Sequence, residues 1–177
     1  MKGNVSYYNR ICKIMAWMEE KPPTPYDKVC ISIVKDEELF DHIGHYVSGD
    51  PEALNDHPAL TKKLESWLKK IPPISSHPSL PFYRGESEHQ EQIRSVQSWT
   101  PNKDVAVDFA KNNHNPVVLR TKGPVQGVSL EDLVHWRMRE FPGESHYSGG
   151  QAEWLLLRPK NIETVYSEDT GWVNDTP

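Results

Sequence analysis

The sequence is poor in cysteine and in long apolar runs. Only Cys12 and Cys30 occur, each in an apolar context and without partners at metal-ligand spacing, so neither a disulfide framework nor a zinc site is indicated. No stretch approaches the roughly 18–20 apolar residues that a membrane helix requires. We therefore expect a protein of a reducing, cytoplasmic compartment that has no membrane partner.

The sequence also lacks an excess of basic residues and a recognisable secretory signal. The chain has 20 Lys and Arg against 25 Asp and Glu, a net charge of -5, which argues against a broad nucleic-acid surface because such surfaces need clustered cations. The net charge does not exclude a local basic groove. The N-terminal ICKIMAWM is short, contains Lys13 and lacks a small-residue cleavage site. Residence in the cytoplasm, or delivery into a host cytoplasm without a cleavable signal, is expected.

The 177 residues suit one domain, with a helical part over 1–75 and a sheet part over 76–177. Apolar residues at spacings of three and four predict helices over 7–18, from Asp36 to about Val47, and from Pro58 to about Leu68. The proline-rich segments EEKPPTP and IPPISSHPSLP are interpreted as connections.

The second half alternates strand and helix signals. Helices are expected at PNKDVAVDFAKN and after Ser129, and a turn at GPVQG. The strands are expected at LPFYR, SVQSW, PVVLRTK, AEWLLLR and ETVYS. The predicted class is α+β, with helices first and a mixed, split sheet second.

Three short pieces carry polar residues with possible chemistry: FYRGE, SWTPNKDVAVDFA and QAEW. Each has a structural alternative. Arg84 alone is typical of a surface or sheet edge, and Thr100 before Pro101 is typical of a helix N-cap. Ser98 shares a strand face with Thr100, and Gln151 shares one with Glu153, since residues two apart point the same way.

Together the three pieces resemble the R-S-E class of mono-ADP-ribosyltransferases in its Q-x-E variant, as in small phage and bacterial toxin-like members. The class has an Arg on one strand, Ser-x-Ser/Thr on a second, and Gln/Glu-x-Glu at the start of a third. YRG around Arg84, SWT from Ser98 to Thr100, and QAE from Gln151 to Glu153 match these elements in order. The resemblance covers about 81–159. Tryptophan stands between Ser98 and Thr100, where threonine is commoner.

The resemblance implies a split sheet or sandwich around an NAD cleft, with NAD as substrate and no metal. It implies that Glu153, Gln151, Arg84 and Ser98 are catalytic, and that NAD is bound by Arg84, Gly85, Ser98, Thr100 and Glu153. Gly85 would let the backbone approach the nicotinamide amide. In this class, a Gln at the first position of the Gln/Glu-x-Glu motif, as at Gln151, is associated with acceptors other than arginine.

The residue types fit this chemistry. Breaking the bond between nicotinamide and ribose builds positive charge on the sugar, and a carboxylate such as Glu153 stabilises that charge in the transition state. A guanidinium such as Arg84 offers phosphates planar, bidentate donors that lysine would not reproduce. The amide of Gln151 both donates and accepts hydrogen bonds, which suits an amide or a base edge.

The sequence therefore predicts an NAD-dependent mono-ADP-ribosyltransferase that modifies a macromolecular acceptor, first of all a protein. Two alternatives stay open. The same scaffold could modify a nucleic-acid base or hydrolyse NAD, or it could be a non-catalytic module that inhibits or recruits a partner.

Overall fold

The computed structural model describes residues 22–50, 52–73, 81–87, 95–122, 124–143, 152–167 and 171–172. The helix predicted over 7–18 and the candidate residue Gln151 lie outside these ranges. Within them, every helix is too short or too polar to cross a lipid bilayer.

Four helices form the first part of the described chain: α1 (Pro25–Val34), α2 (Glu37–Val47), α3 (Glu52–Asn55) and α4 (Pro58–Leu68). The predictions of α2 and α4 are confirmed. The interpretation of EEKPPTP as a connection that no helix enters is wrong at its end, because Pro25 is the first residue of α1. Thr24 caps this helix in a capping box with Asp27, and proline is tolerated in a first turn, where its missing N–H has no intrahelical partner.

The described strands form two separate sheets. One has the order β1 (Phe82–Ser87), β3 (Pro116–Thr121), β6 (Ile162–Ser167) and β7 (Gly171–Trp172). The other has the order β2 (Val96–Trp99), β5 (Trp154–Leu157) and β4 (Gln126–Ser129). The α+β class is confirmed. The expectation of a mixed sheet is wrong for the described residues, since their pairings are antiparallel throughout.

Strand β4 begins at Gln126, within the segment GPVQG for which a turn was predicted. Gly127 serves close packing here: a Cβ at this position would stand 2.4 Å from the backbone oxygen of Leu155 on β5. The glycine that suggested a turn therefore lets two strands approach each other.

Two further helices complete the described structure, α5 (Lys103–Lys111) and α6 (Leu130–Glu140). The helical part and α6 pack on the three-stranded sheet, and α5 packs on the four-stranded sheet through Ala106 and Ala110. Each fully buried aliphatic side chain contributes roughly 1.5–3 kcal/mol. The contact of the helical part with the sheet includes the buried residues Ile33, Leu39, Leu64, Leu133 and Leu155.

Among the described residues, an isolated bridge between Tyr83 and Thr100 pairs the backbones of the two sheets. The backbone N–H of Tyr83 donates to the oxygen of Thr100 at 2.7 Å, and the N–H of Thr100 donates to the oxygen of Tyr83 at 2.9 Å. Beyond this bridge the next residues, Arg84 on β1 and Ser98 and Trp99 on β2, have no backbone pairing with each other. A cleft opens at this point.

The N-cap of α5 is Asn102, and the prediction that Thr100 caps this helix is wrong. The side-chain oxygen of Asn102 accepts hydrogen bonds from the N–H groups of Asp104 and Val105, whereas the Thr100 hydroxyl accepts from Asn102 itself at 3.1 Å. The backbone of Thr100 is held by the bridge to Tyr83, so the chain turns into the helix two residues later.

We expect Asn102→Ala to lower the free energy of unfolding by about 1 kcal/mol, because two N–H groups of the first turn lose their acceptor. Asn102→Asp keeps an acceptor at the cap and should stay close to wild type. Urea denaturation of the three proteins measures both effects. Equal stability of Asn102→Ala and wild type would contradict the assignment of the cap.

Candidate functional site

The cleft between the sheets has a volume of about 290 Å³. It brings together the predicted site residues that the structure describes. These line it from three different segments of the chain and are Arg84, Gly85, Ser98, Thr100 and Glu153. Gln151 lies outside the described residues, so its place in the cleft stays a prediction.

Ser98 is the centre of the hydrogen bonds in the cleft. It lies on β2, an edge strand of its sheet, so its backbone groups can be bonded by side chains. Its hydroxyl donates to Oε1 of Glu153 at 2.5 Å, and its carbonyl oxygen accepts from Nη1 of Arg84 at 2.6 Å. Its N–H donates to the hydroxyl of Tyr46 at 3.4 Å. Ser98 therefore contacts both Arg84 and Glu153.

Arg84 is held by two neighbours. Its Nε donates to Oε2 of Glu86 at 3.0 Å, and Nη1 bonds the Ser98 carbonyl. The side chains of Arg84 and Glu86 are only 15 % and 12 % exposed. Among the described residues no hydrogen bond is found for Nη2. The two contacts therefore hold the guanidinium in its plane at the edge of the cleft.

Glu86 is a functional candidate that the motif did not single out. It stands two residues after Arg84 on β1, and residues at this spacing lie on the same face of a strand. The signal was present in the sequence as the pair Arg84 and Glu86 in RGE.

Glu153 is the most buried carboxyl group of the cleft. Only 8 % of the residue is exposed. Burial raises the pKa of its carboxyl above the ordinary value, and the hydrogen bond from Ser98 and the charge of Arg84 oppose this rise without cancelling it. A carboxyl in this setting is well suited to meet a positive charge, since it has little water around it to lose.

The residue before Glu153 bends the chain into the cleft. Ala152 has a φ of 48°, in the left-handed region that alanine rarely adopts, and the backbone oxygen of Glu153 accepts from the N–H of Leu130 at 2.9 Å. Ala152 and Trp154 line a second cavity on the other side of this segment. Glu153 and its two neighbours therefore line different cavities.

Gly85 has a different reason to be glycine than the one expected. A Cβ at this position would lie 2.0 Å from the backbone oxygen of Ala106 and 2.5 Å from the backbone nitrogen of Ala110. Helix α5 therefore occupies the space that a side chain would need. The Gly85 backbone does line the cleft, and its approach to a nicotinamide amide stays a prediction.

The helical part also contributes to the cleft, through Tyr46, Val47 and Gly49 at the end of α2. The sequence predicted a helix from Asp36 to about Val47, and Tyr46 is one of the apolar residues on its buried side. No local signal distinguishes it from the other stripe residues. Its role depends on how α2 packs on the three-stranded sheet.

The charges of the cleft are mixed. Its described lining carries one cation, Arg84, and two carboxylates, Glu86 and Glu153. In the described part of the chain no three His, Cys, Asp or Glu side chains are grouped in a way that could hold a metal ion. The arrangement can bind a ligand that has an anionic and a cationic end, with the anion at Arg84.

No protein-family model, curated protein or solved structure matches this chain.

Proposed function

We propose that this protein is an NAD-dependent mono-ADP-ribosyltransferase that transfers ADP-ribose to a non-arginine acceptor on a protein and releases nicotinamide. The observation that carries the proposal is the meeting of Arg84, Ser98 and Glu153 in one cleft. These residues come from segments that are far apart in the sequence, and Ser98 touches both of the others through hydrogen bonds of 2.6 Å and 2.5 Å.

The reaction assigns a role to each group. The bond between the nicotinamide nitrogen and ribose C1′ breaks, and its electron pair leaves with nicotinamide. The positive charge that develops on the ribose is stabilised by the carboxylate of Glu153, which Ser98 holds in place. A nucleophile of the acceptor then attacks C1′ and loses its proton, which completes the transfer.

The charges of the cleft support NAD as the substrate. Its pyridinium ring is cationic and its pyrophosphate is anionic, so the molecule has both signs that the cleft can bind. Arg84 would take the pyrophosphate through its Nη2, and Glu86 and Glu153 favour the cationic end. Thr100 and the Gly85 backbone would form the wall against which the nicotinamide half lies.

A protein acceptor fits better than a nucleic acid. The described lining of the cleft has two carboxylates and one arginine, and the whole chain has a net charge of -5. Both charges would repel the phosphates of a nucleic-acid backbone. Gln151 would position the acceptor, because an amide can pair with the amide of Asn or Gln through one donor and one acceptor.

One observation favours a second candidate function, a binding module without catalysis. Nε and Nη1 of Arg84 are both engaged within the protein, by Glu86 and by the Ser98 carbonyl. An arginine that only ties an edge strand to the neighbouring sheet would show these same contacts. A module of this kind would bind a partner and leave NAD intact.

NAD labelled in its adenylate phosphate, incubated with the protein and a cell lysate, separates these functions. We expect label on protein bands, free nicotinamide, and the same rates after exhaustive chelation of divalent ions. Label on nucleic acid, or ADP-ribose without labelled macromolecules, would shift the proposal to the alternative reactions. Failure to consume NAD, combined with capture of a partner, would support the binding module. Glu153→Gln protein serves as the control for contaminating activity.

A further inference from the structure

Two tyrosine hydroxyls of the helical part bond the two edge strands of the three-stranded sheet. Tyr46 of α2 accepts from the N–H of Ser98 on β2, and Tyr26 of α1 accepts from the N–H of Ser129 on β4 at 3.0 Å. A strand edge exposes backbone groups that need partners. The two tyrosines therefore play the same structural part at opposite edges of one sheet.

The hydroxyl groups of Tyr26 and Tyr46 differ in whether they donate to an acceptor in the described protein. Tyr26 donates its proton to Oδ2 of Asp132 at 2.7 Å, so both functions of this hydroxyl are used within the protein. The hydroxyl of Tyr46 has no described acceptor, and Tyr46 lines the cleft that holds Glu153. A buried phenol whose donor has no partner is costly unless a ligand or water accepts from it.

We propose that Tyr46 is a ligand-binding residue of the cleft, and that its hydroxyl donates a hydrogen bond to an oxygen on the nicotinamide riboside half of NAD. The inference rests on the proposed function and extends its site to the helical part. It assigns Tyr46 to that half of NAD because the same hydroxyl touches Ser98, whose own hydroxyl touches Glu153. The accepting oxygen belongs either to a ribose hydroxyl or to the carboxamide.

The packing of α2 on the three-stranded sheet places Tyr46 at the level of the cleft. Tyr46 is the last buried residue of α2, one residue before its end at Val47. A shift of α2 along the sheet by one turn would remove the phenol from Ser98. The position of the helix therefore sets the position of the donor.

Tyr46→Phe tests the inference because it removes the hydroxyl and keeps the ring. We expect the Kd and the KM for NAD to rise roughly three- to tenfold, the usual effect of losing one hydrogen bond, with kcat within about twofold of wild type. Inhibition by free nicotinamide should weaken by the same factor if the carboxamide is the acceptor, and should be unchanged if a ribose hydroxyl is. In the ligand-free protein, hydrogen exchange at the Ser98 amide should become faster.

Tyr26→Phe is the matched control. It removes the same kind of bond at the opposite edge, so it should lower the Tm while leaving the Kd and the KM for NAD as they are. The inference is overturned if Tyr46→Phe binds NAD like wild type, if Ser98 exchange is unchanged, or if the two variants alter the Kd equally. Wild-type protein that neither binds nor consumes NAD would instead show that the proposed function is wrong, and this inference would fall with it.

Discussion

Replacing Glu153 by glutamine is expected to lower the rate of nicotinamide release by about 10²–10³-fold, while the Kd for NAD changes little. Glutamine keeps the size of the side chain and an oxygen that can accept from the Ser98 hydroxyl. It removes only the negative charge, which matters most when positive charge has developed on the ribose. Single-turnover release of nicotinamide and calorimetric binding of NAD measure the two quantities separately.

Gln151→Ala is the matched comparison for this substitution. Because Gln151 would position the acceptor, its loss should abolish or redirect transfer while slow hydrolysis of NAD continues. Hydrolysis that disappears as fully as in Glu153→Gln, or near-normal turnover by Glu153→Gln, would contradict the division of QAE into an acceptor-binding amide and a catalytic carboxylate.

The stability of the same Glu153→Gln protein relative to wild type should depend on pH. The pKa of Glu153 is raised in the folded protein by burial, so its stabilising contribution is present below the unfolded pKa and is lost as the pH rises through the folded pKa. Glutamine never ionises and avoids this loss. The Tm of the variant minus that of wild type should therefore increase from about pH 4 to pH 7, as calorimetry can measure. A difference that decreases over this range would contradict a raised pKa.

Gly85→Ala is expected to lower the free energy of unfolding by about 3 kcal/mol or more, and the Tm by roughly 6–12 °C. The new methyl group would meet the backbone oxygen of Ala106 at 2.0 Å and the backbone nitrogen of Ala110 at 2.5 Å, and backbone atoms of a helix cannot move alone. Helix α5 would shift as a body. Since Phe109 lines the cleft from this helix, turnover of NAD should fall together with stability.

Gly44→Ala provides the control for Gly85→Ala. A Cβ at Gly44 would have no heavy atom within 4 Å, and alanine favours a helix over glycine by about 0.5–1 kcal/mol. This variant should be as stable as wild type or more so, with normal turnover. A Tm of Gly85→Ala within a degree of wild type would show that β1 and α5 are less closely packed than in this structure.

Local patterns in the sequence predicted the elements whose signals lie within one segment. The apolar stripes predicted α2 and α4. The spacing of two predicted a shared face for Ser98 and Thr100, and both residues line the cleft. Helix α1 was missed because its prolines resemble a linker, although Thr24 and Asp27 form a capping box. Strand β4 was missed because Gly127 resembles a turn residue and serves close packing instead.

The parts of the site that the sequence did not reveal depend on packing between distant segments. Tyr46 reaches Ser98 only because α2 packs on the three-stranded sheet, and no spacing within the helix encodes that contact. The observed N-cap of α5 is Asn102 and not the predicted Thr100 for a similar reason. The backbone of Thr100 is fixed by its pairing with Tyr83 from another strand. Glu86 differs from these cases, because its spacing from Arg84 is visible in the sequence.

The isolated bridge between Tyr83 and Thr100 is the point at which the two sheets diverge. Beside it, the apolar cluster of Phe82, Trp99 and Trp154 combines residues of both sheets. Arg84 and Ser98 are each next to the bridge on different sheets, and the bond from Nη1 to the Ser98 carbonyl joins the two walls of the cleft. The guanidinium that gives the cleft its cation is therefore also a brace between its walls, and replacing Arg84 is expected to change the width of the cleft as well as its charge.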